Sequence, residues 1–169
     1  MKYLFLSATV AAFLSACSPT TNTEETATEE TVATANEHDH AGHAHEAPAG
    51  VTIQPIKEGQ KVFFANLEDG QSVASPLTVE FGVEGMTAAP AGEIIEDQGH
   101  HHLLIDHDFI AAGEVIPAGD STKLHFGKGQ LTTEVNLAPG THKLTMQFAN
   151  GAHMSYGEKM STSINVTVK

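Results

Sequence analysis

An all-β domain, an antiparallel immunoglobulin-like β-sandwich carried behind a disordered N-terminal tether, is the architecture this 169-residue sequence predicts. Three observations lead there. From residue 51 onward, short runs of alternating apolar and polar residues are separated by Asp-Gly, Pro-Gly and other turn signals, with no apolar period of 3.6 long enough for a core helix. Residues 18–50 hold no Lys or Arg and almost no large apolar side chain. The histidines, 11 in all, gather in two places, the end of that polar segment and the β-rich remainder.

Residues 1–16 read as a secretory signal. Lys2 precedes an apolar run from Tyr3 to Leu14, too short for a permanent membrane span. The run ends in Leu14-Ser15-Ala16-Cys17, which resembles the lipobox of bacterial lipoproteins. Cys17 is the only cysteine, so it is the expected lipidation site and no disulfide within the chain is available. Ser18 is not the aspartate that commonly retains lipoproteins at the inner membrane. The expected location is therefore the periplasmic face of the outer membrane of a Gram-negative bacterium, with the membrane as partner through the lipid on Cys17.

Residues 17–50 form the tether, mostly Thr, Ala and Glu, a composition that buries too little surface to offset chain entropy. Near its end, Glu37-His38-Asp39-His40-Ala41-Gly42-His43-Ala44-His45-Glu46 interleaves four imidazoles with three carboxylates. His38, His40, His43 and His45 are expected to bind divalent metal weakly and exchangeably, since unstructured ligands must be ordered on binding. The alternative is a solvated polar spacer.

Residues 51–169 are enough for one domain with a single core. Their 14 acids against 7 lysines, with no Arg, argue against nucleic acid and anionic lipid as partners. Strands are expected at Lys61–Asn66, Leu77–Glu84, His101–Asp106, Leu131–Leu137, His142–Phe148 and Ser163–Val168. In Leu77–Glu84 the alternation buries Leu77, Val79, Phe81 and Val83. Leu137-Ala138-Pro139-Gly140-Thr141-His142-Lys143-Leu144 looks like the Leu-x-x-Gly-x-Tyr-x-Leu corner of such sandwiches, with His142 as the ring that hydrogen-bonds the backbone. Met146 shares a face with Leu144 and Phe148 and is expected in the core.

The most informative stretch is Gly99-His100-His101-His102-Leu103-Leu104-Ile105-Asp106. In an extended strand His100 and His102 share one face with Leu104 and Asp106, while His101, Leu103, Ile105 and His107 take the other. Two imidazoles at i and i+2 on a stiff strand can chelate one transition metal. Loops at one end of a sandwich converge, so His125, or His153 in place of one ligand, completes an expected site for Zn(II) or Cu(II). Adding the thioether of Met154 would tilt the site toward Cu(I). The competing reading makes these histidines hydrogen-bonded fillers of the fold.

Phe63-Phe64 with Asn66, Phe81-Gly82 with Gly85-Met86, Ala89-Pro90-Ala91-Gly92, Gly99 to Asp106, His125-Phe126-Gly127 with Gly129-Gln130, and Pro139-Gly140-Thr141-His142 follow in order. Together they resemble the bacterial exported family known as domain of unknown function 4399, over roughly Lys61 to Val168. The resemblance implies a small periplasmic β-domain, often lipid-anchored, and brings no activity with it. Its pattern includes a His-x-His segment and a Pro-Pro step after the strand that ends here at Asn150. This chain instead reads Asn150-Gly151-Ala152-His153-Met154, which leaves open whether Met154 replaces a family histidine.

There is no nucleophile elbow, phosphate-cradling loop or His-Glu-x-x-His run, so no enzyme is expected. Two functions fit the residues. One is a lipid-anchored metal-binding protein, with zinc or copper held by the β-domain and the tether. The other is a structural or interaction module of the cell envelope whose histidines serve the fold.

Overall fold

Gly50, residues 52–117 and residues 119–169 are described by the computed structural model. The signal, Cys17 and the four tether histidines lie outside the described residues. Nine strands form two sheets and leave no α-helix among the described residues, only a 3-10 turn at Glu158–Met160. No described helix is long and apolar enough to cross a membrane.

The first sheet orders β1 (Lys61–Phe64), β3 (Leu77–Glu84) and β7 (Thr132–Val135) antiparallel, with β3 in the centre. Its alternation works as expected at Leu77, Val79 and Phe81, which are buried between exposed Thr78 and Glu80. Val83 is only half-buried, near the strand's end.

The second sheet runs β2 (Gln71–Val73), β9 (Ser161–Val168), β8 (Gly140–Ala149), β5 (Gln98–Ile105) and β4 (Thr87–Ala88). A further strand, β6 (Lys123–His125), also pairs with β5. The expected antiparallel order holds for the long strands, but β2 pairs β9 and β4 pairs β5 in parallel. Strands of two or three residues show no alternation of their own. For that reason β2, β4 and β6 were not visible in the sequence pattern.

One apolar core joins the two sheets. Val62, Val79, Phe81 and Val135 from the first pack in the same cluster as Leu103, Ile105, Leu144, Met146, Phe148, Val166 and Val168 from the second. Met146 is fully buried there, as expected. His101 points into the same interior. Its ring stacks on Phe81 of the facing sheet, centroids 5.2 Å apart, and meets Phe148 edge-on at 4.8 Å.

The opposite face of β5 and β8 is covered as well, by residues 107–117. Thr145 donates to His107 O and Ser155 donates to Ile110 O, both at 2.7 Å. Ile110 N–H donates to Gln147 Oε1 at 2.7 Å, and Ile116 N–H to His153 O at 2.9 Å. Beneath this segment Leu104, Ala149 and Ile116 form a small second cluster. Both faces of β5 are therefore dry, and His100 through Ile105 are all buried.

Two expectations at the end of β5 need correction. The strand stops at Ile105, and Asp106 takes a positive φ of 61°, so alternation does not continue through Asp106 and His107. Asp106 consequently leaves the face of His100 and His102. Its carboxylate accepts from His142 Nδ1 and from Lys143 N–H, each at 2.9 Å. His107 is exposed and its Nε2 lies 3.1 Å from Thr122 Oγ1. The corner reading of His142 stands, because its Nε2 donates to Ala138 O at 2.9 Å, four residues upstream.

Candidate metal centre

His100 and His102 are two residues apart on β5, so both rings leave the same face of one strand. Pairing of β5 with β6 sets His125 directly across from His102. Opposed residues of neighbouring strands have Cβ atoms about 5 Å apart, so their rings meet. The centroids of His102 and His125 are 5.0 Å apart.

His153 arrives from the turn after β8. Asn150 organises that turn: its Oδ1 accepts from the amides of Ala152 and Met154, each at 3.0 Å, and its carbonyl accepts from His153 N–H at 2.9 Å. His153 itself sits at φ 64°, a conformation sparsely used by residues other than glycine. Its ring lies 5.0 Å from His100, 6.0 Å from His102 and 4.7 Å from His125, centroid to centroid.

Four imidazoles are thus gathered in one place. Two contacts show how they face: Nε2 of His100 lies 3.0 Å from Nε2 of His102, and Nε2 of His125 lies 3.1 Å from Nε2 of His153. Donor nitrogens of His100, His102 and His125 all fall within 4.8 Å of one another. A tetrahedral ion with bonds of about 2.05 Å to nitrogen sets those nitrogens about 3.3 Å apart and the ring centres about 5 Å apart. Both Nε2 contacts and most ring spacings approach these values, while the 4.8 Å spread and the 6.0 Å between His102 and His153 exceed them. His100, His102 and His125 therefore fit a transition metal once the rings shift, with His153 beside them.

Room for the rings comes from glycines. A Cβ at Gly127 would lie 2.3 Å from both Cε1 and Nε2 of His125, so that ring folds back over the Gly127 backbone. A Cβ at Gly151 would lie 2.0 Å from Glu93 O, so the turn bearing His153 closes only on a residue without a side chain.

Burial favours the neutral form of three of these rings. Burial, and then the neighbouring histidines, pull His100 down to about 3 and His102 to about 2. His125 is lowered too, by burial and then by His153. Every charge acting on these three rings belongs to another histidine, with no carboxylate among them. Neutral imidazole with a lone pair on Nε2 is the metal-binding form. The outer nitrogens are less well served: Nδ1 of His100 and Nδ1 of His102 are buried with no hydrogen-bond partner among the described residues.

Of the expected ligands, His100, His102 and His125 are brought together as a group that could hold a metal ion, and the ring of His153 lies beside them. Met154 is buried, its main chain bridged to Val115 and its amide bonded to Asn150. Gly127, Gly151 and Asn150 shape the site and carried no signal as single residues, although the Gly127-Lys128-Gly129 step beside His125 is itself a mark of close approach.

A family model described as Domain of unknown function (DUF4399) matches residues 79–169, just over half of the chain. No curated protein matches, and no solved structure matches. The match takes in β5, β6, β8 and the His153 turn, hence every residue of the cluster.

Proposed function

The chain belongs to the family described as Domain of unknown function (DUF4399), and we propose that it is a metal-binding protein of the bacterial envelope, anchored through lipid on Cys17. In this reading the β-domain holds one zinc or copper ion among His100, His102, His125 and His153, and the histidines at 38, 40, 43 and 45 bind further metal loosely. The gathering of four imidazoles, three of them with donor nitrogens within 4.8 Å of one another, carries the proposal. Isolated core histidines have no reason to aim their donor atoms at a common point from three separate chain segments.

Binding, not catalysis, suits the donor set. Catalytic zinc sites keep one coordination position for water, whereas four protein ligands close the sphere. The protein would then store or pass on an ion. Gln147, which faces His102 across the β5–β8 pairing, spends its amide on Ile110, Ser155 and Gly157, so it adds no reactive group.

The test is thermal melting at pH 7.5 of protein in which His38, His40, His43 and His45 are replaced by Ala, with zinc, copper or chelator. Metal at a hundredfold excess over its dissociation constant should stabilise by about 2.7 kcal/mol, and His125→Ala should remove that gain. If no metal moves the midpoint, the histidines serve the fold and the interaction-module reading replaces this one.

A further inference from the structure

We propose that residues 89–93, which supply no ligand, position the metal site, and that Gly92 is the residue on which this role turns. The role rests on the reading of His100, His102 and His125, with His153 beside them, as a place for an ion.

The segment continues from β4 and touches three separate pieces of chain, each next to a histidine of the cluster. Ala89 N–H donates to Gly99 O at 2.7 Å, one residue before His100. Ala91 N–H donates to Gly127 O at 3.0 Å, two residues after His125. Gly92 N–H donates to Gly151 O at 2.8 Å, two residues before His153. An antiparallel bridge between Pro90 and Lys128 adds a further tie.

These ties matter most for the two less buried rings. His100 and His102 leave a strand that is hydrogen-bonded on both sides, to β6 and to β8. His125 is exposed at the end of a three-residue strand, and His153 is half-buried in a turn. Among the described residues, no backbone hydrogen bond runs directly from residues 126–129 to residues 150–154. Ala91 and Gly92, consecutive in the chain, bond one to each and so set their separation. Across that gap the Nε2 atoms of His125 and His153 lie 3.1 Å apart. Residues that orient ligands without touching the ion typically change metal affinity about 10–100-fold when replaced.

The fit is close. A Cβ at Gly151 would lie 2.9 Å from Gly92 O, and one at Gly127 would lie 3.3 Å from Ala91 Cβ. Gly92 takes a φ of 140°, and nothing lies within 4 Å of where its own Cβ would stand. An alanine there meets no clash and acts only by straining the backbone that carries the two donors. Gly70 provides the control. Its φ is 79°, its surroundings are equally open, and it precedes β2, which β9 and β8 separate from β5.

The experiment uses the full chain with His38, His40, His43 and His45 replaced by Ala, alone or with Gly92→Ala or Gly70→Ala added. Zn(II) and Cu(II) are each offered at pH 7.5 in competition with a chelator of known affinity, and metal-free melting is recorded for every variant. Gly92→Ala should weaken retention about 10–100-fold, whereas Gly70→Ala should leave it unchanged. Should Gly92→Ala not fold, Ala91→Pro, which deletes the donor to Gly127 O, takes its place. Affinity kept in the strap variant, or lost equally in Gly70→Ala, would overturn the positioning role while leaving the metal site standing. If the parent chain retains neither ion, the site reading and the positioning role fall together.

Discussion

The two faces of β5 carry the same residue type at the same depth and put it to different uses. On one face His101 sits between Phe81 and Phe148, fully buried, with neither ring nitrogen bonded. On the other His100 and His102 are equally buried, but their Nε2 atoms meet each other and two further imidazoles. An unsatisfied buried polar group costs about 1–3 kcal/mol. On the site face the unbonded atoms are Nδ1 of His100 and His102, and an ion bound at Nε2 would add a separate stabilisation. On the core face nothing described does so. Burial alone therefore does not separate a structural histidine from a candidate ligand, whereas what its ring nitrogens face does.

The largest effect that would break this comparison is acid sensitivity common to both faces. Burial pulls His101 down to about 4, alongside His100 at about 3 and His102 at about 2. The unfolded chain takes up these protons near 6.5, while the folded domain refuses them, so stability is lost as pH falls below that value. Each ring contributes roughly 1.4 kcal/mol per pH unit in that range. Together they are enough to unfold a domain of ordinary stability near pH 5. Chelator-treated protein should show a steep drop in urea midpoint between pH 7.5 and 5.0, and a flat profile would refute the neutral, dry placement of all three.

Next in size is a pair of substitutions that pulls the faces apart. His101→Leu should leave the metal-free domain as stable or raise it by about 1–2 kcal/mol, because it removes two orphaned nitrogens from an apolar box. It should also lessen the acid slope and keep the metal response. His102→Leu should be similarly tolerated without metal and should abolish the response. Loss of metal binding in His101→Leu, with the fold intact by circular dichroism, would show that the faces are not independent.

A smaller change sharpens the site alone. Gly127→Ala should force the His125 ring out of position and weaken metal affinity at least tenfold, read by competition titration. Its metal-free melting should change by less than about 1 kcal/mol, as expected beside an exposed side chain. Unchanged affinity would mean that His125 reaches the ion from another rotamer, or is not a ligand.

The smallest effect runs opposite in pH. His142 donates from both nitrogens, to Asp106 and to Ala138 O, and the Asp106 carboxylate foremost raises its proton affinity. This contribution is fully present below the unfolded value near 6.5 and fades as pH rises through the higher folded one. Replacing His142 with Ala should cost about 1 kcal/mol at pH 6 and less at pH 9. An equal loss at both values would assign the ring to packing.

Much of this was legible in the sequence because it depends on local periodicity. The long strands, the buried faces of Leu77–Phe81 and Leu144–Phe148, the corner at His142 and the i, i+2 pair of His100 and His102 all follow from which side of a strand a residue takes. Asp106 shows the limit of that reasoning. Alternation placed it with the ligands, but a single positive φ ended the strand one residue early and gave its carboxylate to His142.

What the sequence determined alone is the pair of stiff, same-facing imidazoles and the apolar strands that carry them, since side-chain direction along a strand is set by backbone geometry. Only the tertiary structure decided that His125 opposes His102, through a three-residue strand with no pattern of its own. It also decided that His153 enters the same cluster, from a turn held by Asn150. Register between distant strands is set by the packing of the whole core, and a left-handed turn by its hydrogen bonds, so neither is written in the spacing of the residues that benefit.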